Sequence, residues 1–399
     1  MITVKRILKD ALFEDFQLVA GDRGLNNIVT GNAIFDWETP EEIRRTFKKS
    51  DFVITTLRKA KEDKEVSEEC LKTLFRMRVS AIAVRSIYYD EIPQNIKRHA
   101  DAFGVPIFLF KKGYTEDIIY FVQKKIAEDA NRQMAAKLAR QLLGDEQNKE
   151  LINEFIEQNG MHLYDNIRSI YCCCATESQD QTSDAWNMEE AILRSVERNP
   201  SAAADYSMVK AGTGILLVYT YGLGKGGVQT TAPARDNLVK ELAAPGTFQL
   251  GISRVHHHAQ RIGEAMKESV FAGISCRIDR ETIRTFDAIG ADRFLIPMEN
   301  NPCVVQAYTE KLDLLRKYDD KHHSCMLETL IQFVESNGSI KLTSQKMFQH
   351  ENTIRYRIDR IKKLFAMEES ENSYIELYMI VRLCKIKNCI REFLLEDNL

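Results

Sequence analysis

One short segment near the end of the chain, HENTIRYRIDRIKKLF (residues 350–365), carries side chains that can read a base sequence. It holds five arginines and lysines against two acids, in a chain whose formal net charge is only -3. On a helical wheel it places Asn352, Tyr356 and Lys363 on one side, with Arg355 on the flank. In a major groove an amide pairs with adenine and a guanidinium with guanine, while further cations neutralise phosphates. The chemistry that this segment could perform is recognition of duplex DNA.

The opposite side of the same helix indicates how it is held in place. Its apolar residues recur at the i, i+4, i+7, i+11 spacing of a buried stripe. They are Ile354, Ile358, Ile361 and Phe365. An ordinary amphipathic helix with a solvated basic face has the same pattern and binds no DNA. The segment by itself leaves both interpretations open.

The helices that come before this segment favour DNA binding. CMLETLIQFVESNG ends in Asn337-Gly338, a helix stop, and Ser339 follows as a good N-cap. IKLTSQKMF predicts one short helix, and residues 348–350 predict a tight turn. This is the helix-turn-helix arrangement, in which the second of the paired helices enters the major groove. The residues predicted to contact DNA are His350, Asn352, Thr353, Arg355, Tyr356, Arg357, Arg360 and Lys363.

The segment SNGSIKLTSQKMFQHENTIRYRIDRIKKLF resembles the C-terminal helix-turn-helix of the purine-catabolism regulator (PucR) family of bacterial transcription factors. The positions that match the family's pattern are Asn337, Gly338, Ser339, Phe348, His350, Asn352, Thr353, Arg355, Tyr356, Arg357, Arg360 and Ile361. Upstream, LDLLRKYDDKHHSCMLETL resembles the family's lead-in, and GISRVHHHAQRIGEAMKESVFAG resembles its middle domain. GDRGLNNIVTGNAIFDWETPEEIRRTFKKSDFVITTL, with SAIAVRSIYYDEIP and FGVPIFLF, is similar to its N-terminal sensor domain.

Two residues depart from the family's pattern. Glu351 stands where a basic residue is usual, which removes a phosphate contact but places an acid at the helix N-terminus, where the macrodipole favours it. Ser344 replaces the usual alanine where the two short helices approach each other, a small change in volume. The resemblance still implies DNA binding, but it does not determine the affinity or the target sequence.

The resemblance also implies a function for the whole chain, that of a ligand-responsive transcriptional regulator. The expected effector is a purine-derived or other nitrogenous metabolite, and the expected target is the operator of a catabolic operon, bound by a homodimer or a higher homo-oligomer. The middle domain is expected to be related in fold to the bacterial GGDEF nucleotide cyclases. Since no Gly-Gly-Asp/Glu-Glu-Phe sequence occurs in the chain, metal-dependent cyclase chemistry is not expected there. We expect neither enzyme activity nor a cofactor.

A glycine-rich loop raises the alternative of a nucleotide-binding or nucleotide-converting enzyme. Gly222, Gly224 and Gly227 form a G-x-G-x-x-G directly after the apparent strand GILLVYTY. A dinucleotide site needs a helix to open at once and an acid about 20 residues further on. Instead VQTTAPA intervenes, with Pro233 near its end. A flexible loop is the favoured interpretation.

Histidines and cysteines occur in runs that could bind metal or react. His256, His257 and His258 are consecutive and cannot all face one ion without distortion, so we interpret them as a polar loop at a helix start. Cys172, Cys173 and Cys174 lie in an apolar strand and are expected to be small core residues. We predict no metal site and no catalytic triad.

The ends of predicted strands offer a ligand site in the N-terminal part. Between residues 50 and 110, apolar runs such as DFVITTL, SAIAVRSIY and VPIFLF alternate with amphipathic ones, which predicts a buried parallel sheet. Ligands of open α/β sheets bind outside the carboxyl ends of the strands. That rule indicates Asp36, Thr55, Thr56 and Arg85 as ligand-binding residues. Capping of strands and helices would explain the same residues equally well.

Composition limits the class of protein. A chain of 399 residues with 44% hydrophobic and 28% charged residues is long enough for two or three domains. No apolar run approaches the roughly 18 to 20 residues that span a bilayer, and the N-terminus lacks a signal-peptide core. Nine cysteines without a CxxC pair suggest neither disulfides nor a zinc ribbon. These features predict a cytoplasmic protein.

The predicted fold is α/β and multi-domain, in four parts. Residues 1–126 form an α/β ligand-sensing domain, and residues 127–160 form a helical linker that overlaps the end of a helical stretch predicted from Tyr114 to Gly144. Residues 161–302 form a mixed α/β, cyclase-like and non-catalytic domain. Residues 303–399 form an all-α domain, with its helix-turn-helix at about 325–365.

The middle part has a less regular pattern than the first. NIRSIYCCCA, GILLVYTY and GTFQLGIS predict strands, and NMEEAILRSVER and HAQRIGEAMKESVFAG predict helices. Residues 178–184 and 222–233 are polar or glycine-rich, which predicts exposed loops.

Overall fold

The computed structural model describes residues 1–89, 91–175, 181–200, 202–203, 205–222, 232–244, 246–368 and 370–394. The chain divides into two compact units, Met1–Met134 and Ala135–Leu399. No helix among the described residues is both long enough and apolar enough to cross a membrane. The predicted four-part division of the chain remains a prediction.

The first unit is built on one five-stranded sheet. Its strands are β1 (Gln17–Ala20), β2 (Gly31–Ile34), β3 (Asp51–Thr55), β4 (Ala81–Arg85) and β5 (Ile107–Phe110). Their order across the sheet is β1-β5-β4-β3-β2. Strands β2 to β5 are parallel to their neighbours and β1 is antiparallel to β5, so the predicted parallel sheet is confirmed.

Helices cover this sheet, with residues of alternate strand positions facing separate cores. The helices are α1 (Val4–Ile7), α2 (Pro40–Thr46), α3 (Lys64–Arg76), α4 (Gln94–Phe103) and α5 (Thr115–Gly144). Val53 packs with residues of α2, α3 and α4 on one face. Phe52 and Ile54 pack with residues of α1 and α5 on the other. This alternation follows from the two-residue period of a strand.

Local sequence explains where several of these helices begin and end. At the start of α2, Thr39 and Glu42 form a reciprocal capping box and Pro40 occupies the first helical turn. The helix α4 ends at Gly104, whose φ of 61° is a left-handed conformation that glycine adopts freely. The predicted helix from Tyr114 to Gly144 is confirmed as α5, which runs across the boundary between the two units.

The second unit contains a mixed sheet. Its strands are β6 (Asn166–Cys174), β7 (Asp205–Ala211), β8 (Gly214–Tyr221), β9 (Phe248–Ile252), β10 (His256–His257) and β11 (Ile283–Thr285). The main order is β11-β9-β6-β8-β7, with β10 pairing with β6. The helices of this part are α6 (Lys149–Gln158), α7 (Gln181–Arg198), α8 (Ala232–Ala243), α9 (Ile262–Asp279) and α10 (Asp292–Met298). The succession β6-α7-β7-β8-α8-β9 is the β-α-β-β-α-β arrangement of ferredoxin-like folds.

Helix α9 lies directly against this sheet. Gly251 of β9 faces Gly273 of α9 so closely that a Cβ on Gly251 would lie 2.1 Å from the Gly273 nitrogen. Two facing residues without side chains therefore let the helix and the strand approach each other. On the opposite face of the sheet, α7 and α8 cover Ile170, Leu217 and their neighbours.

The structure corrects three predictions in this part of the chain. The predicted loop at 178–184 is helical from Gln181 onward, and the predicted loop at 222–233 is helical from Ala232. Proline suits the first turn of a helix, which is why Pro233 does not prevent the second of these starts. His256 and His257 form the strand β10 rather than a polar loop. Strands β7 and β11 and helix α8 were not predicted.

The remainder of the second unit is helical, as predicted, within the described residues. It consists of α11 (Pro302–His322), α12 (Met326–Glu335), α13 (Ile340–Met347), α14 (Glu351–Leu364) and α15 (Ser373–Leu394). One apolar core runs from the sheet residues Tyr171 and Val218 through α9 to these helices. The helix α15 packs against both α9 and α10.

Candidate nucleic-acid interface

Three consecutive helices, α12, α13 and α14, form the predicted helix-turn-helix. Helix α12 ends at Glu335, and Asn337 and Gly338 follow with φ of 51° and 76°. Such left-handed conformations end a helix and reverse the chain. Ser339 then caps α13, because its hydroxyl accepts a hydrogen bond from the Leu342 amide at 3.2 Å. The predicted helix stop and N-cap are both confirmed.

The turn between α13 and α14 is three residues long. Phe348 closes α13 in a left-handed conformation, and His350 is the N-cap of α14. The His350 Nδ1 accepts a hydrogen bond from the Asn352 amide at 3.2 Å. Since Nδ1 is the acceptor, a neutral imidazole carries its proton on Nε2, as an outward donor. The same side chain can thus start the helix and donate a hydrogen bond to a phosphate.

The predicted apolar stripe of α14 is buried. Ile354, Ile358, Ile361 and Phe365 are at most 7% exposed and belong to the core of the second unit. The stripe packs against α11, α12 and α13. Burial of four such side chains fixes the rotation of the helix about its axis. It also determines which residues of α14 face outward.

The outward face of α14 is polar and largely free of other parts of the chain. Asn352, Arg355, Asp359 and Lys363 are exposed, and Tyr356 retains 64% of its surface. A row of one amide, one guanidinium, one phenol and one ammonium matches the groups that contact base edges and phosphates in a groove. The face can therefore serve as a reading surface for duplex DNA.

Two of the predicted contacts, Arg357 and Arg360, are partly engaged within the protein. The Arg357 guanidinium donates to the Thr329 hydroxyl at 3.1 Å. The Arg360 Nε donates to the Tyr318 hydroxyl at 3.3 Å, and its guanidinium lies 5.3 Å from the centre of the Tyr318 ring. Both side chains are half-buried, as is Thr353. The two arginines hold α14 against α12 and α11 through these bonds.

The surface around α13 and α14 also exposes residues that the sequence analysis did not assign to DNA binding. Lys341, Gln345 and Lys346 of α13 are exposed, as is Gln349 in the turn. Phe348 is 93% exposed. The sequence indicates three of them, because Lys341, Gln345 and Lys346 are polar residues of the short predicted helix that follows the helix stop.

Three of the four residues predicted to bind a ligand in the first unit meet at the carboxyl ends of β2 and β3. The Asp36 carboxylate accepts hydrogen bonds from the Thr56 amide at 2.8 Å and from the Thr56 hydroxyl at 2.7 Å. The Thr55 hydroxyl lies 3.4 Å from the same oxygen and also accepts a bond from the Leu57 amide at 2.8 Å. These polar groups tie the two strand ends together. The capping interpretation therefore accounts for all three.

Arg85 ends β4, the next strand along the sheet, and is half-buried. Exposed apolar residues follow the same strands in the sequence: Trp37 comes after β2, and Ile87 and Tyr88 come after β4. The Arg58 guanidinium lies 4.6 Å from the centre of the Trp37 ring. The parallel strands run in unbroken order from β2 to β5, without the reversal at which open sheets form a binding crevice. The assignment of Asp36, Thr55, Thr56 and Arg85 to a ligand remains a prediction.

His256, the first residue of the histidine run, belongs to a buried ionic cluster. It is 3% exposed, and its Nε2 lies 2.9 Å from a carboxylate oxygen of Glu268. Arg254 donates to the same carboxylate through its Nε at 2.9 Å and its backbone amide at 3.0 Å. Burial by itself raises the pKa of Glu268, but these donors outweigh it and hold the pKa below its ordinary value of 4.5. The cluster stabilises β10 and α9.

The remaining candidates lack a described arrangement for chemistry. Cys172 and Cys173 are buried as predicted, and burial raises the pKa of both thiols, which makes them poor nucleophiles. Gly224 and Gly227 of the glycine-rich loop lie outside the described residues. Among the residues that the structure describes, no group of three or more histidines, cysteines and acids is placed to hold a metal ion.

Comparison with protein families matches both ends of the chain. Residues 6–126 match the model of the purine catabolism regulatory protein-like family. Residues 326–382 match the model of the PucR C-terminal helix-turn-helix domain. The second match contains all of α13 and α14, and therefore the whole outward face described above.

Two curated bacterial proteins are similar to parts of the chain. The proline-responsive transcriptional activator PutR of Bacillus subtilis is 24% identical over 147 residues, which cover 36% of this chain and 36% of PutR. The DNA-binding transcriptional activator AdeR of Bacillus subtilis is 27% identical over 100 residues, which cover 25% of this chain and 24% of AdeR. The matches thus span about a third and a quarter of the length of these relatives.

One solved structure is similar over a longer stretch. The crystal structure of a regulator of polyketide synthase expression from Bifidobacterium adolescentis is 15% identical and covers 64% of this chain and 98% of its own. Its TM-score of 0.30 is too low to indicate a shared fold.

Proposed function

We propose that this chain, which carries a domain of the purine catabolism regulatory protein-like family and a PucR C-terminal helix-turn-helix, is a PucR-type transcriptional regulator. It binds operator DNA through the outward face of α14 and controls a catabolic operon in the cytoplasm. The predicted resemblance is thereby confirmed for both terminal domains. The GGDEF-like character of the middle domain remains a prediction.

One observation carries the proposal. The apolar stripe of α14 is buried while Asn352, Arg355, Tyr356 and Lys363 form an exposed row. A helix that served only to fill the core would gain nothing from an amide, a guanidinium and a phenol on one exposed face. In a helix-turn-helix that face lies in the major groove, where these groups pair with base edges and phosphates.

A binding experiment with matched arginine variants tests the proposal. Labelled duplexes that tile the region upstream of the protein's own operon are titrated with the full chain, and fluorescence anisotropy reports the affinity. We expect one segment to bind more tightly than the rest. Arg355→Ala should weaken that segment roughly tenfold or more, because a good base-edge pair contributes about 1–3 kcal/mol.

Arg198→Ala is the control. Arg198 is also an exposed arginine, but it lies at the end of α7, on the face of the second unit's sheet opposite α9. We expect it to bind like the parent. Equal affinity of the parent for every duplex, or equal weakening by both substitutions, would contradict the assignment of α14 as the reading helix.

The first unit is proposed to sense a small effector. PutR, a relative by sequence, is described as proline-responsive, which supports a nitrogenous metabolite as the class of ligand here. Arg85 and Thr56 at the sheet edge are the proposed contacts, together with Asp36 and Thr55 as the groups that position them. The effector changes the affinity for DNA only to the extent that it binds the DNA-competent and the DNA-incompetent states with different affinities.

We propose that the protein acts as a homodimer. One helix-turn-helix in each chain reads one half-site, and two half-sites are then separated by one turn of DNA or a multiple, roughly 34 Å. A palindromic footprint with that spacing would support this arrangement. No described residue favours a nucleotide-converting middle domain, and that alternative is not proposed.

A further inference from the structure

Phe348, in the turn that joins α13 to α14, is the most exposed large hydrophobic residue in the described part of the chain. Its side chain retains 93% of its surface, whereas Ile354, the first residue of the apolar stripe of α14, is fully buried. Exposure of an aromatic ring to water is unfavourable by roughly the free energy that its burial would supply. The folded chain by itself gives this ring no partner among the aromatic contacts of the described residues.

The backbone at Phe348 is also unfavourable for a phenylalanine. Its φ of 52° and ψ of 41° are left-handed, and they close α13. Glycine or asparagine adopts this conformation far more readily than a residue with a bulky side chain, for which it costs about 1–2 kcal/mol. A glycine or an asparagine at this position would form the same turn at a lower cost. Two unfavourable features at one position indicate that the ring acts on something outside the chain.

The neighbours of Phe348 indicate what that something is. From Lys341 to Asn352 the exposed side chains include two lysines, two glutamines, a histidine and an asparagine, with Glu351 as the only exposed acid. Cations and hydrogen-bonding groups around a single ring suit a nucleic acid better than an apolar protein surface. The ring also lies two residues before His350, where the reading helix begins.

Thymine offers the one apolar feature of the major-groove base edges. Adenine, guanine and cytosine present only hydrogen-bonding groups there, whereas thymine adds a C5-methyl group. Given the proposed function, on which this inference rests, we propose that Phe348 packs against the C5-methyl of a thymine at the edge of each half-site. The ring supplies a specificity contact that the polar row of α14 cannot supply.

Deoxyuridine isolates this contact, because it differs from thymidine only by the absence of that methyl group. In the tightly bound duplex each thymine is replaced in turn by deoxyuridine, and the affinity of the full chain is measured by fluorescence anisotropy. For the parent we expect a loss of about fourfold at one or two positions of each half-site, the effect of burying one methyl-sized group. Replacement elsewhere should have no effect.

Two variants show whether the loss depends on the ring. Phe348→Gly should bind the thymine duplex more weakly than the parent does. It should bind the thymine and deoxyuridine duplexes with equal affinity. The same variant should unfold at a higher urea concentration than the parent, because glycine relieves the left-handed strain. Leu342→Ala, which truncates another exposed apolar residue of α13, should keep the parent's response to deoxyuridine.

Several outcomes would overturn the inference. If the parent responds to deoxyuridine at no position, or if Phe348→Gly retains the parent's response, the ring reads no methyl group. If Phe348→Gly and the parent bind each duplex with equal affinity, but the variant has a different oligomeric state in light scattering, the ring packs on a second copy of the chain instead. If the parent binds no duplex at all, it is the proposed function that fails.

Discussion

At the scale of single residues, the N-terminus of α14 combines a stabilising role with exposure to solvent. His350 caps the helix through Nδ1 and leaves Nε2 outward. Glu351, the first helical residue, is exposed. Its charge is favourable near the positive end of the helix macrodipole and unfavourable near phosphates. The two effects have opposite signs, which makes this position informative.

Replacing Glu351 by arginine should strengthen DNA binding and increase its dependence on salt. An added phosphate contact raises the magnitude of the slope of log K against log salt by about 0.9. The measurement is a set of anisotropy titrations between about 50 and 200 mM salt. Glu197→Arg, the same charge change at an exposed position of α7, is the control and should leave the slope unchanged. A parent-like slope for Glu351→Arg would place residue 351 away from the phosphates.

Glu268 gives the stability of the second unit a dependence on pH. Its pKa is held below 4.5 in the folded protein, so the stabilisation is complete above pH 4.5 and is lost as the pH falls through the folded pKa. Glu268→Gln cannot ionise. The difference in urea midpoint between parent and variant should therefore be largest near pH 7 and shrink below pH 4.5. A difference that is independent of pH would contradict the role of the ionised carboxylate in the cluster with Arg254 and His256.

Individual side chains were predictable where one strong local rule applies. Ser339, the stripe of α14 and the turn at Phe348 follow from capping preferences and helical period, and the structure confirms them. Burial of His256 was not predictable, because its partner Glu268 lies twelve residues further along the chain, on another element. The inward orientation of Arg357 and Arg360 likewise depends on Thr329 and Tyr318, which only the fold brings near.

At the scale of elements, an ion-pair network ties α15 to helices α9 and α10. Arg382 of α15 donates to Asp292 of α10 at 2.7 Å and to Asp279 of α9 at 2.5 and 2.9 Å. Asp292 is 1% exposed. The network joins the helical part that carries the reading helix to the part that carries the sheet, within one compact unit.

Removing the guanidinium should destabilise this unit strongly. Arg382→Ala leaves the buried Asp292 carboxylate without its cation, which typically costs about 3–5 kcal/mol. Urea denaturation followed by circular dichroism measures the effect. Arg316→Ala is the matched control, because Arg316 and its partner Asp313 are each at least half exposed, and such a pair contributes at most about 1 kcal/mol. Equal midpoints for the two variants would show that the network carries no stability.

Long periodic elements were predictable from the sequence, and short ones were not. The strands β3, β4 and β5 and the long helix α5 have continuous or clearly periodic apolar patterns. The strand β11 has three residues and gains its hydrogen bonds only from β9, its neighbour in space. The helix α8 follows a glycine-rich segment and contains Pro233, a residue that indicates a loop when its position in the helix is unknown.

At the scale of the whole molecule, a regulator needs a sensing part, a reading part and a physical connection between their states. The first unit matches the family's N-terminal model, and the reading helices lie in the second. Helix α5 belongs to both units and is the one element of the described chain that crosses their boundary. The two family domains were predictable from the resemblance, whereas the shared core of the sheet and the C-terminal helices was not, because it forms between segments far apart in sequence.

The most direct test of the central claim is the ratio of two affinities, for the specific duplex and for an unrelated duplex of equal length, measured for the parent, Asn352→Ala and Lys363→Ala. We predict that Asn352→Ala lowers the ratio roughly tenfold, since the lost adenine contact contributes about 1–3 kcal/mol of discrimination, whereas Lys363→Ala weakens both duplexes alike and lowers the salt slope by about one. A ratio that Asn352→Ala leaves at the parent's value would contradict the claim that α14 reads the operator.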